Sequence, residues 1–402
     1  MEMDAGISGI SRGTSAGRVI YLDHSASTPV DVRVLQAMMP FFAEHYGNPS
    51  GIHCQARASA LALDQARMEV AEVLGCKPKE IIFTSCGTES DNLAIRGVAF
   101  AAAQMGKGRH IITSACEHHA VSHTIAQMCE YFGFQQTTVP VDRWGMIDPA
   151  DVKRAIRPDT VLISIIYANN EVGTIQPLAE VGAIAREYGI PLHTDAVQAG
   201  GYLDLNVDRL QVDLLSLSGH KFYAPKGVGM LFVREGVALL PQQTGGGHEG
   251  GRRAGTENVP YIVGLAKALK LAQDMRATEN ERLAQLRDRL IQGVQTAIPG
   301  AQLTGHPDRR LPHHTSFVIP EVEANVLLMH LDLAGICAAS GSACNTGASE
   351  PSDILLAMGI PPQLALGALR LTLGRSTTAE DIETVLTVLP TIVDRLGALR
   401  PV

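Results

Sequence analysis

Asp213-Leu214-Leu215-Ser216-Leu217-Ser218-Gly219-His220-Lys221 is an apolar run that passes through a small polar turn and stops on a lysine. The pattern predicts a buried strand that Gly219 interrupts. Lys221 then stands at the C-terminal edge of that strand, where open α/β sheets bind ligands. An amine held in a partly dry pocket is a usable nucleophile, and its commonest use is a Schiff base with a carbonyl. Taken alone, such a residue reads as a solvated surface lysine, because most lysines are solvated. Its partners elsewhere in the chain change that reading.

Four more predicted strands end on polar residues. Glu80 to Ser85 runs into Cys86-Gly87-Thr88-Glu89-Ser90, and a helical pattern follows from Asn92 to Met105. Arg109 to Thr113 leads to Glu117-His118-His119, and a helix follows through Phe132. Thr160 to Ile166 ends at Asn169-Asn170-Glu171, and Ile190 to Asp195 is followed one turn later by Gln198. Any one of Thr88, His118, Asn170, Asp195 and Lys221 reads equally as a cap or turn former. Five at the same end of successive strands indicate a ligand site. Backbone N–H groups at the helix start beside Gly87, with the Thr88 hydroxyl, favour a phosphate. An imidazole at His118 can stack on a flat ring or shuttle protons. Pyridoxal phosphate is the obvious carbonyl for Lys221.

Three other segments carry chemistry. Gly245 to Thr256 is a glycine-rich basic loop without the Gly-Lys-Ser/Thr ending of a P-loop; it reads either as a flexible linker or, through Arg252, Arg253 and Thr256, as an anion-binding loop. Ile336 to Gly347 is a run of small residues with little to pack, expected to be mobile, and Cys344 near its middle is a plausible nucleophile. Arg370 lies among apolar residues on a predicted strand and needs an anion, either a substrate carboxylate or an internal Asp or Glu. His119 and His123 have a metal-pair spacing, but no third ligand accompanies them, and no metal site is assigned.

The elements that must position these residues alternate between strand and helix, which predicts a mostly parallel sheet covered on both faces. Val19 to Asp23 is a strand and His24 to Pro29 a polar turn; helices are expected over Val30 to Tyr46, Ser59 to Leu74 and Val259 to Ala297, and a strand over Val228 to Val233. A composition shift near Ala277 divides the chain. Residues 30–276 form a large α/β domain, residues 19–29 and 277–402 a smaller α/β domain with the Cys344 loop, and residues 1–18 a flexible tail.

With 402 residues, 46% hydrophobic and 18% charged, the chain can bury large cores. A formal net charge of -8 argues against nucleic acid as a partner. No apolar run reaches membrane-spanning length, and the Gly/Ser-rich N-terminus lacks the apolar core of a signal peptide, so a cytoplasmic location is expected. Seven cysteines without a Cys-x-x-Cys argue against a disulfide framework and a zinc ribbon.

From Tyr21 to Leu399 the chain resembles the pyridoxal phosphate-dependent cysteine desulfurases of the NifS/IscS type, within the class V aminotransferase group. The segments that carry the likeness are Tyr-Leu-Asp at Tyr21, Gly-Asn-Pro-Ser at Gly47, Phe-Thr-Ser-Cys-Gly-Thr-Glu-Ser-Asp at Phe83 and Glu-His at Glu117. They continue with Asn-Asn-Glu at Asn169, His-Thr-Asp-Ala-Val-Gln at His193, Ser-Gly-His-Lys at Ser218, Arg-Arg-Ala-Gly-Thr-Glu-Asn at Arg252 and Ser-Gly-Ser-Ala-Cys at Ser340. The resemblance implies fold type I, with Lys221 as the Schiff-base lysine and base, and Asp195 on the pyridine nitrogen. Gln198 falls on the phenolic oxygen and His118 on the ring face. Gly87, Thr88, Ser218 and His220 fall on the phosphate, with Thr256 on the phosphate of a neighbouring subunit in a homodimer. Asn170 and Arg370, with Asn48, would hold the carboxylate of L-cysteine, and Cys344 would carry a persulfide to a sulfur acceptor or iron–sulfur scaffold. Asn345 stands where Ser or Thr is more usual, His24 and Ser27 vary the opening pattern, and the chain ends without the longer tail of IscS-like members. A selenocysteine lyase or a class V aminotransferase is the alternative on the same fold.

Overall fold

The computed structural model describes residues 18–341 and 350–398. Its strands are β1 (Ile20–Tyr21), β2 (Ile81–Thr84), β3 (His110–Ser114), β4 (Gln135–Val139), β5 (Thr160–Ser164) and β6 (Leu192–Asp195). They continue as β7 (Leu214–Ser218), β8 (Gly229–Val233), β9 (Gln302–Leu303), β10 (His314–Val318), β11 (Ile336–Cys337) and β12 (Ala368–Thr372). Seven of them form one sheet in the order β2-β8-β7-β6-β5-β3-β4. β8 runs antiparallel to both of its neighbours, and the remaining pairs are parallel.

Every residue of β3, β5, β6 and β7 is buried. These strands read as near-continuous runs because helices cover both faces of the sheet. Leu215, Leu217, Met230 and Phe232 join one core cluster, and Leu214, Leu231, Ile111 and Leu162 join another. The alternating side chains thus feed two cores. Edge strand β4, Gln-Gln-Thr-Thr-Val, is mostly exposed and has no apolar pattern to announce it. A third cluster unites Ile20 and Leu22 with Leu290, Phe317, Leu369, Leu371 and Ile382. Its strands are the antiparallel set β12-β10-β9 and the parallel pair β1-β11, in which Ile20 faces Ile336.

Several helix boundaries differ from the sequence reading, each for a local reason. The helix expected over Val30 to Tyr46 is two helices, Val32–Met38 and Pro40–Ala43, because Pro40 has no N–H to continue the ladder. The second helix begins at Cys54, earlier than expected, where the His53 ring accepts from the Ala56 N–H at 3.3 Å. The pattern from Asn92 begins at Gly87, capped by the Cys86 thiol, which accepts from the Glu89 N–H at 3.4 Å. Val259 to Ala297 divides at Met275 into Val259–Asp274 and Arg276–Ala297.

The glycine-rich loop is fastened rather than loose. Glu249, in a left-handed conformation (φ 51°), accepts from both Arg67 terminal nitrogens at 2.8 Å and from the Phe83 N–H at 2.9 Å. Arg253 pairs with Glu89 at 2.8 Å, and Arg252 donates to the Lys79 carbonyl at 2.7 Å, so both arginines have partners within the chain. Glu249→Ala leaves the mostly buried Arg67 without its carboxylate, with only the Ile81 carbonyl still accepting from it at 2.7 Å, and is expected to cost about 3 kcal/mol. Urea unfolding with an unchanged slope measures it; a loss below about 1 kcal/mol would show that the loop is held by other contacts.

Candidate active site

The C-terminal ends of the parallel strands open on a cavity of about 290 Å³. Thr88, His118, Asn170, Asp195 and Lys221 all line it, together with Gly87, Gln198, Ser218, His220 and Arg370. Asn48 and Thr256 are exposed and do not line it. Cys344 and Asn345 lie outside the described residues.

Lys221 projects from the short turn after β7, and its Nζ donates to the carbonyls of Ser25 at 2.7 Å and Ala26 at 2.8 Å. The Gln198 amide also donates to the Ser25 carbonyl, at 2.9 Å. The polar turn after β1 is therefore part of the site. Asp195, at the end of β6, is 4% exposed, and its Oδ1 accepts from the Val197 N–H at 2.9 Å. His118 caps the helix His119–Phe132, its Nδ1 accepting from the Ala120 N–H at 3.0 Å. That contact leaves the proton of the neutral ring on Nε2. Burial pushes the His118 imidazolium down; Asp195 opposes the shift and Lys221 adds to it. Burial, with Lys221 and Lys226, holds His220 down to about 4, so its ring is neutral near pH 7.

Arg370, on β12, is 2% exposed. Its Nη2 donates to Asp23 at 2.8 Å and its Nη1 to the Asn170 carbonyl at 2.9 Å. His314 Nε2 lies 3.1 Å from the same carbonyl. An internal carboxylate thus does pair with Arg370, yet among the described residues Arg370 Nε and Asn170 Oδ1 stay buried without a hydrogen-bond partner. A buried donor and acceptor left this way call for a ligand. At Gly87, an added Cβ would meet Val197 Cγ2 at 2.8 Å and Ser218 Cβ at 3.2 Å, so only glycine keeps the helix start open to a ligand. Helix-start amides, a buried carboxyl, an amine and two unpartnered polar atoms facing one cavity fit a small aromatic aldehyde bearing a phosphate.

Sequence reasoning missed Asp23, Ser25, Ala26, Cys86 and Asp91, which line or brace the cavity. Asp91 left a signal: a carboxyl beside the apolar run Leu93-Ala94-Ile95 at the start of a helix. Behind the cavity, Glu117 accepts from the Ile166 N–H at 2.9 Å and from the Ser114 hydroxyl, and burial pushes its acid up to about 8.

This sheet and cavity define a pyridoxal phosphate enzyme of fold type I. The model of the family described as aminotransferase class-V matches residues 20–385, and the chain belongs to that family. It is similar to the cysteine desulfurase IscS of Methanosarcina thermophila, 50% identical over 388 residues, covering 96% of this chain and 95% of the relative. It is similar as well to that of Dictyoglomus turgidum, 49% identical over 384 residues and covering 96% and 97%. A solved structure titled NifS-like protein superposes with a TM-score of 0.88 at 36% identity, over 94% of this chain and all of the other.

Two outcomes are expected. Gly87→Val, which closes the helix start, weakens pyridoxal phosphate binding about tenfold by equilibrium titration, the loss of one charge-assisted hydrogen bond. Glu117 holds a proton in the folded chain at pH values where the unfolded chain has released it. Its contribution is present below about 4.5 and lost as pH rises through about 8. The isosteric Glu117→Gln therefore gains stability relative to the parent across that window, on the order of 1–4 kcal/mol in urea unfolding.

Proposed function

We propose that the protein is a cysteine desulfurase that converts L-cysteine to L-alanine and passes the sulfur through a persulfide on Cys344. The observation that carries this reading is the meeting of Lys221, Asp195 and the unpartnered Arg370–Asn170 atoms in one cavity, in a chain half-identical to named cysteine desulfurases. Bound pyridoxal phosphate supplies an electron sink for the pair released at the substrate α-carbon. Gly87, Thr88, Ser218 and His220 would hold its phosphate, Asp195 would pair with its ring nitrogen, Gln198 would bond its phenolic oxygen and His118 would stack on its ring. Lys221 would hold the cofactor's carbonyl end and would serve as the base that moves the proton at the substrate α-carbon. The Ser25 and Ala26 carbonyls keep its Nζ aimed into the cavity. Arg370 Nε and the Asn170 side-chain N–H would donate to the substrate carboxylate, with Asp23 steadying the guanidinium.

At Cys344, an Sγ–S bond forms as the substrate's Cβ–S bond breaks. The electron pair of the broken bond and a proton end on the methyl group of alanine. Thr256 and Asn48, outside the cavity of a single chain, are assigned to the cavity of a second copy in a homodimer, with residues 277–402 and 19–29 as the smaller domain. The acceptor is assigned to iron–sulfur cluster assembly in the cytoplasm, where free thiols such as those of Cys54, Cys86 and Cys129 persist. Among the described residues no helix is long and apolar enough to cross a membrane.

The test is release of alanine and sulfide from L-cysteine with a reductant. The parent protein is expected to release both in equal amounts, Cys344→Ala neither, and Lys221→Ala neither. A parent protein that binds pyridoxal phosphate but yields only amino transfer to a keto acid would establish the aminotransferase reading instead.

A further inference from the structure

The sheet face beneath the helix Gly87–Gln104 carries a row of polar side chains where apolar ones are the rule. Ser164 of β5, His193 of β6 and Ser216 of β7 stand side by side. His193 Nδ1 lies 2.8 Å from Ser164 Oγ, and its Nε2 lies 3.0 Å from Ser216 Oγ. Asp91, one turn into the helix, sets its carboxyl onto this row with Oδ1 3.5 Å from His193 Nε2. Asp195 lies on the same face of β6, two residues from His193 and opposite Ser216 in register. Two carboxyls therefore share one dry layer at the edge of the cavity.

Their surroundings differ. Asp195 receives the Val197 backbone N–H, while Asp91, 1% exposed, meets only the Ser216 hydroxyl and has an Oδ1 without a hydrogen-bond partner among the described residues. A buried carboxyl that faces a hydroxyl, which can accept as well as donate, retains its proton in preference to one that faces a backbone N–H, which only donates. The titratable and charged groups around Asp195 are Asp91 on the helix, His193 on its own strand, His118 and Glu117 on the loop after β3, and Lys221 after β7. His118 favours the Asp195 carboxylate, whereas Asp91 opposes it. Burial pushes both aspartates up to about 7, which agrees with one shared negative charge.

We propose that Asp91 is a positioning residue that keeps the proton of this carboxyl pair, so that the negative charge rests on Asp195 and faces the ring nitrogen of pyridoxal phosphate. The proposal rests on the placement of Asp195 given above, and the experiment separates the two. Holoenzyme variants Asp91→Asn, Asp91→Ala and Asp195→Asn are compared by the visible absorbance of the bound cofactor against pH, by cofactor titration and by infrared difference spectroscopy.

Asparagine copies a protonated acid in shape and donor. Asp91→Asn is expected to keep the absorbance midpoint within about 0.3 pH units of the parent and the affinity within about threefold. Asp91→Ala is expected to move the midpoint by about half a unit or more, as His193 and Ser216 lose their partner. The parent-minus-Asp91→Asn infrared spectrum should contain a protonated carboxylic acid band that shifts in D2O. A midpoint displaced by about one unit in Asp91→Asn, an unmoved midpoint in Asp91→Ala, or carboxylate bands alone in the difference spectrum would each overturn the proposal. Asp195→Asn is expected to weaken cofactor binding more than about tenfold. If it matches the parent, the Asp195 placement falls, and the role of Asp91 falls with it.

Discussion

The site depends on a buried guanidinium. Arg370 is almost wholly removed from water, and a charge so placed persists only when its donors are met. Asp23, after β1, takes one nitrogen, and the Asn170 carbonyl, beyond the end of β5, takes another. The arginine sits on β12, in the core that Ile20 and Leu22 share with residues beyond 280. One side chain thereby ties three segments far apart in sequence around a single cavity. Arg370 also lines the cavity, so its charge is felt by whatever enters.

A second constraint is the polar layer under the helix Gly87–Gln104. A sheet covered on both faces excludes water, so each hydroxyl, imidazole and carboxyl placed there must find its partner within the layer. Ser164, His193 and Ser216 do so in a line across three strands. Burial also holds His193 down to about 4. Its ring is neutral near pH 7 and adds no positive charge to a layer that already carries carboxyls.

Much of this was legible in the sequence, for reasons tied to particular residues. β3, β5, β6 and β7 announce themselves because both faces are buried, and a polar residue after such a run stands at the sheet edge whatever the tertiary details. Thr88, His118, Asn170, Asp195 and Lys221 reach the cavity on that ground alone. β4 was silent because an edge strand of Gln and Thr has no apolar period. Pro40 and Met275 broke helices whose apolar spacing ran through them. Asp23, Ser25 and Ala26 could not be read, since their roles arise from contacts about 200 and 350 positions away. Asp91 looked like an ordinary early-helix acid until the sheet supplied His193 opposite it.

The pairing of β1 with β11 also bears on the order in which the site is completed. Ile20 is made early in synthesis but finds Ile336 only after most of the chain has emerged. The turn that follows β1 supplies the carbonyls that receive Lys221. Domains generally fold as units during synthesis, and long-range pairings close last. The seven-stranded sheet can therefore assemble on the ribosome before β1 finds its partner strand. The turn is also held to the end of β7 through Thr28, whose N–H donates to the His220 carbonyl at 2.8 Å, so the pairing with β11 completes the frame around that amine rather than creating it.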